Sequence, residues 1–106
     1  MYTVVETSTF HSKALRLWSR SEYEDFVLFI AQNPLSGQVV ANSGGVRKVR
    51  WSKLGIGKRG GVRVIYFLAY ESEIWLLTLY AKNERSTIPA NELRKIKEVI
   101  LGRKNV

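Results

Sequence analysis

The spacing of hydrophobic positions changes period several times along the chain. Tyr2 to Glu6 (YTVVE) is short and β-branched and reads as a strand; no hairpin signal follows it, so its partner must lie far away in sequence. Phe10, Ala14, Leu17 and Trp18 then fall at i, i+4, i+7 and i+8, one stripe of a helix capped by Ser8 or Thr9. Ser21 followed by Glu24 fits a capping box. Tyr23, Phe26, Val27 and Ile30 repeat at i, i+3, i+4 and i+7, and Asn33-Pro34 stops this second helix.

Ser36-Gly37 and Ser43-Gly44-Gly45 mark a connection from Pro34 to Gly45, with a short extended piece at Gln38 to Ala41. Val46 to Trp51 alternates as a strand, and the glycine-rich stretch SKLGIGKRGG, Ser52 to Gly61, follows it. Val62 to Tyr70 and Ile74 to Lys82 are long β-rich runs separated by Glu71, Ser72 and Glu73, which predicts an antiparallel hairpin at the sheet centre. Leu93, Ile96 and Ile100 recur at helical spacing from near Pro89 to near Gly102. The order predicts an α+β fold: a small antiparallel sheet with the two N-terminal helices packed on one face and a C-terminal helix. The helices are expected to share that face and leave the other free to bind. No repeat or linker divides residues 1–106, so a single domain is expected. Trp18, Trp51, Trp75, Tyr66 and Tyr70 sit inside apolar patterns and read as packing residues.

Composition narrows the chemistry. With 17 Lys and Arg against 9 Asp and Glu, the net charge is +8 and the pI about 10.1, which favours a polyanionic partner. There is no cysteine, hence no disulfide and no thiolate metal site, and the single histidine, His11, reads as a helix-surface or capping residue. The absence of a basic leader with an apolar core, and of any apolar run near the roughly 20 residues of a membrane span, gives the expectation of a cytoplasmic protein with no membrane partner.

The positive charge is polarised. No acidic residue lies between Asp25 and Glu71, while Arg47, Lys48, Arg50, Lys53, Lys58, Arg59 and Arg63 all do. Strand alternation turns Arg63 away from Val62, Val64 and Tyr66, and the loop before it can carry Lys58 and Arg59 over the start of its strand. Lys58-Arg59-Gly60-Gly61 is not a nucleotide-binding Walker loop, since no Gly-Lys-Ser/Thr follows. Lys82, at the end of the last strand, is expected to face Arg63. Paired carboxylates and clustered metal ligands are missing from the sequence, so a nuclease built here would be metal-independent with no cofactor. RNA permits this because its own 2′-OH attacks the adjacent phosphorus, leaving Arg and Lys to orient and stabilise the phosphorane.

Gly44-Gly45-Val46-Arg47-Lys48-Val49-Arg50, the run Gly55-Ile56-Gly57-Lys58-Arg59-Gly60-Gly61-Val62-Arg63-Val64-Ile65-Tyr66-Phe67, and Leu77-Thr78-Leu79-Tyr80-Ala81-Lys82-Asn83-Glu84 together resemble the RelE/HigB toxins of bacterial type II toxin–antitoxin systems. The Lys-Asn-Glu form at 82–84 is similar to a HigB-like subgroup. The resemblance implies an endoribonuclease, an mRNA interferase that cleaves translated mRNA in the ribosomal A site. It also implies a cognate antitoxin, expected to be of the helix-turn-helix type, that neutralises the toxin and brings it to operator DNA. By position, Arg63, Lys58 and Lys82 are then the candidate catalytic residues. Arg59, Lys53, Arg47, Lys48, Arg50 and Asn83 are the candidate RNA-binding ones. Many relatives carry Arg directly after the strand-end Lys and Tyr downstream, where this chain has Asn83 and Ile88-Pro89, so the acid and base roles do not transfer. A ParE-like gyrase poison and an inactive nucleic-acid-binding module are the competing readings.

Overall fold

A computed structural model describes residues 2–51, 61–84 and 87–104. The element order is β1 (Thr3–Glu6), α1 (Ser8–Leu17), α2 (Arg20–Gln32), β2 (Gln38–Val39), β3 (Arg47–Trp51), β4 (Val62–Ala69), β5 (Glu73–Ala81) and α3 (Ala90–Lys104). The strands form one five-stranded sheet in the order β1-β5-β4-β3-β2. The predicted hairpin is its centre, with Val62 opposite Ala81 and Ala69 opposite Glu73.

Two expectations about this sheet are corrected. It is mixed, because β1 runs parallel to β5, with Thr3 opposite Glu73 and Glu6 opposite Leu76; the distant partner inferred for β1 is thus the last strand, reached only after both N-terminal helices and the strands β2, β3 and β4. The helices also do not share one face. Phe10, Ala14, Trp18, Phe26 and Ile30 of the first two helices bury against Val49, Val62, Val64, Tyr66, Ile74, Leu76 and Leu79. A second cluster gathers Ile65, Phe67, Ala69, Leu77 and Tyr80 from the opposite sheet face with Val46, Ile88 and Leu93, and Ile96 and Ile100 of α3 pack against it. β4 and β5, apolar on both faces, therefore need cover on both sides.

A register shift separates these phases. Ile65 pairs with Thr78 but Tyr66 pairs with Leu76, so Leu77 is an extra residue in β5. The residues facing α1 and α2 change from Ile74 and Leu76 to Leu79, which puts Tyr80 on the same face as Arg63, its cross-strand partner.

Both N-terminal helices begin earlier than the cap expectations. The cap of α1 is Thr7, whose Oγ1 accepts from the Phe10 amide at 3.0 Å and donates to the Leu77 carbonyl at 2.7 Å. The capping box of α2 is formed by Ser19 with Glu22: the Ser19 hydroxyl accepts from the Glu22 amide, and the Glu22 carboxylate accepts from the Ser19 amide. More than one polar residue fits the cap in each place, and the register of the buried stripe decides among them. Ser19→Ala should cost about 1 kcal/mol of stability, read from the urea midpoint, whereas Ser21→Ala should be nearly neutral.

The aromatic residues knit α1 and α2 to β3. Phe10 meets Trp18 edge-on, Trp18 lies 5.2 Å from Phe26, and Trp51 lies 5.5 Å from Phe26 and 4.8 Å from Phe29 between ring centroids. Trp75 stacks on Phe67. Tyr70 is the exception to the packing expectation: it sits in the β4–β5 turn at φ 56° and is 58% exposed.

His11 is exposed on α1, as expected of a surface residue, and its Nδ1 lies 2.8 Å from the Tyr23 hydroxyl, which donates to Glu6. Burial, then the hydrogen bond to Glu6, then the charge of that carboxylate raise the Tyr23 phenol above its ordinary value of 10.0. The folded chain thus holds this proton more tightly than the unfolded chain. The associated stability is fully present below pH about 10 and is lost as pH rises through the folded-state value. Denaturation midpoints measured from pH 9 to pH 11 should accordingly fall more steeply for the wild type than for Tyr23→Phe.

Candidate RNA-binding cleft

The start of β4 and the end of β3 bring the basic residues together on the sheet face opposite α1 and α2. Arg50 and Arg63 are direct partners in the antiparallel ladder, and directly opposed residues project to the same face. One row along, Lys48 stands between Gln38 on β2 and Ile65 on β4. These residues line a cleft of about 480 Å³ formed by Ser36, Gln38, Lys48, Val49, Arg50 and Arg63.

The electrostatics of this cleft are one-sided. It is lined by three cations and no described carboxylate. The ion pairs between described residues lie elsewhere, at His11–Glu6, Arg16–Glu84 and Arg20–Glu24. Arg63 is only 8% exposed, and its Nη1 donates to the Gly61 carbonyl at 3.1 Å, which orients the guanidinium without neutralising it. Like charges directly opposite across strands are destabilising by some tenths of a kcal/mol. An anion placed between Arg50 and Arg63 relieves that repulsion, and a phosphate matches the planar guanidinium fork.

The predicted site residues are distributed unevenly. Arg63, Arg50 and Lys48 converge in the cleft. Arg47 belongs to the other strand phase, with Val49 and Trp51, and its Nη1 donates to the Gly37 carbonyl at 2.7 Å. It is half-buried and braces the loop beside the cleft. Lys82 and Asn83 are exposed in the turn after β5, where Glu84 accepts from the Ala81 amide at 3.0 Å. Ala81 is the partner of Val62, so this turn lies at the end of β5 that adjoins the start of β4. Lys53, Lys58 and Arg59 lie outside the described residues.

Ser36 and Gln38 also line the cleft, and neither carries a charge or a motif that marks it in the sequence. The short extended piece was legible, but the pairing of Gln38 with Lys48, which puts them on one face, was not. The downstream position expected to hold a phenol in relatives is structural here. Ile88 is buried in the second cluster, and the Pro89 carbonyl accepts from the Glu92 and Leu93 amides at the start of α3. A second hollow, about 490 Å³, lies between the start of α1 and α3, its apolar side formed by Leu77, Ile88, Ile96, Val99 and Ile100. Lys13, Lys95 and Glu92 mix both charge signs there, so it lacks the unopposed positive field of the cleft.

Among the described residues no group of three or more His, Asp or Glu side chains is placed to hold a metal ion, and no helix is long and apolar enough to cross a membrane. The cleft's equipment is suited to holding and stabilising a phosphodiester.

The chain is similar, at 16% identity, to a copper-bound point mutant of a toxin from Helicobacter pylori whose crystal structure is known, covering 79% of this chain and 98% of that one with a TM-score of 0.42. The family model described as the RelE toxin of the RelE/RelB toxin–antitoxin system matches residues 7–103, from the cap of α1 into the last turn of α3. A match over nearly the whole chain shows the family: this chain belongs to the RelE toxins of toxin–antitoxin systems.

Proposed function

We propose that this toxin is a ribosome-dependent endoribonuclease that cleaves mRNA in the A site, with the Arg63–Arg50–Lys48 cleft as its phosphate-holding surface. The observation that carries the reading is the direct cross-strand opposition of Arg50 and Arg63, beside Lys48, in a cleft lined by no described carboxylate. In the reaction the RNA 2′-oxygen bonds to the adjacent phosphorus and the bond from phosphorus to the 5′-oxygen breaks, leaving a 2′,3′-cyclic phosphate and a 5′-hydroxyl. The 2′-OH proton passes to a base, and the departing 5′-oxygen receives one from an acid. Arg63 holds the scissile phosphate and meets the charge that builds on its oxygens. Arg50 and Lys48 position the neighbouring backbone, together with Lys53, Lys58 and Arg59.

Lys82 and Asn83, at the end of β5 beside the start of β4, are the groups assigned to proton transfer or charge stabilisation and to hydrogen bonding of the ribose or base. Lys58 is the other candidate for proton transfer. A cognate antitoxin of the helix-turn-helix type covers the basic surface with acidic or amphipathic segments, because burying unpaired cations is costly, and carries the toxin to operator DNA.

The test is to map transcript ends in cells after induction without antitoxin. New ends within translated codons are expected, and they should disappear when translation of that message is blocked. Growth arrest with intact messages would overturn the nuclease reading; inhibited supercoiling by purified gyrase would then point to the ParE-like alternative.

A further inference from the structure

The cleft has two chemically different walls. Lys48, Arg50 and Arg63 attract phosphate whatever base it carries. Ser36 and Gln38 are neutral hydrogen-bonding residues, and Gln38 stands directly opposite Lys48. A side-chain amide offers a donor and an acceptor together, the combination that reads a base edge, and a hydroxyl can meet a base or a ribose 2′-OH.

This second wall is held in place by side chains from two strands. β2 has only two residues, Gln38–Val39, too little ladder to fix it firmly. Gly37 just before it is buried, and both of its backbone polar groups are engaged by side chains. Its amide donates to the Tyr66 hydroxyl at 2.9 Å, and its carbonyl accepts from Arg47 at 2.7 Å. The same Tyr66 hydroxyl donates to the Pro34 carbonyl at 2.8 Å, so a single phenol ties both sides of the loop. The approach is close enough to require glycine: a Cβ at residue 37 would lie 2.8 Å from the Tyr66 ring and hydroxyl and 3.0 Å from the Lys48 carbonyl. Tyr66 is on β4, three residues from Arg63, so the polar wall and the phosphate-holding arginine are referenced to the same strand.

We propose that Ser36 and Gln38 are the nucleotide-reading wall of the cleft, and that Tyr66 and Arg47, acting through Gly37, are positioning residues that hold this wall in register with Arg63. The proposal rests on the nuclease reading above and deepens it by assigning the contacts that choose which translated positions are cut. It also gives Arg47 a role that does not require contact with RNA.

The experiment maps cut positions and frequencies on one message translated by purified ribosomes, with wild type, Gln38→Ala, Ser36→Ala, Tyr66→Phe and Lys48→Ala. Ser36 and Gln38 are exposed, and their alanine variants are expected to fold. Gln38→Ala should change the ratio of preferred to disfavoured cuts by roughly 5-fold or more, the size of one lost base-edge contact. Ser36→Ala should shift the ratios by a smaller factor. Tyr66→Phe, which deletes only the bracketing hydroxyl, should shift them in the same direction as Gln38→Ala. Lys48→Ala should lower all cuts by a common factor, as loss of a phosphate contact does. Simple destabilisation also scales all cuts together, so the ratios separate reading and positioning from folding. Unchanged ratios in Gln38→Ala and Ser36→Ala proteins that still cut would overturn the proposal and leave the nuclease intact. A wild-type protein that cuts no translated message would remove the nuclease reading, and this inference with it.

Discussion

Arg63→Ala should slow mRNA cleavage by about 10²-fold or more, the usual consequence of deleting one preorganised contact to a transition-state oxyanion. The effect is large because the side chain is already in place: it is almost fully buried, anchored by the Gly61 carbonyl, and faces the cleft with no described carboxylate to satisfy it. Little reorganisation is therefore needed when charge develops on the phosphate. Arg63→Lys should recover only part of the loss, because it restores the charge without the planar fork. Single-turnover cleavage on programmed ribosomes checks both variants. Thermal melting should show the Ala variant folded, since the substitution removes the like-charge opposition with Arg50 rather than an ion pair. Cutting by Arg63→Ala at the wild-type rate would take this residue out of the mechanism.

The second large effect concerns stability. Phe10→Ala should destabilise the fold by about 3–5 kcal/mol, the range for emptying a buried aromatic site. Phe10 is fully buried and meets both Trp18 and Tyr23 edge-on, so its removal opens the contact between α1 and α2 as well as the contact of α1 with the sheet. Against a typical total of about 5–15 kcal/mol, this is a substantial fraction. Urea unfolding followed by tryptophan fluorescence would read it, with the slope unchanged if the unfolded state is unaltered. A loss below about 1 kcal/mol would mean that the aromatic chain from Tyr23 to Trp51 is not the spine of this core.

The difference between what was legible and what was not follows from the range of the interactions. The β4–β5 hairpin could be read because its two apolar runs adjoin in sequence and the turn between them is short. The helices could be read from their periodic stripes, although each cap lay one or two residues from the expected position. The face covered by α3 could not, because β4 is apolar on both faces and its pattern does not say which element lies on which side. In the site, Arg63 was legible from strand alternation and Lys48 and Arg50 from the polarity of charge. Arg47 was grouped with them by charge, although strand alternation already turns it away from Lys48 and Arg50; what only the tertiary structure shows is that it reaches the Gly37 carbonyl.

The sequence by itself determined the element types, the concentration of positive charge between Asp25 and Glu71, and the motifs that mark the family; these depend on neighbours within a few turns of chain and on composition. The tertiary structure decided three things. It made β1 parallel to β5, it shifted the phase of β5 at Leu77, and it set Arg50 against Arg63 with Gln38 and Ser36 beside them. Each is a matter of pairing register between segments far apart along the chain. Moving a strand by a single residue turns every side chain to the opposite face, so no local pattern can specify which charges finally meet.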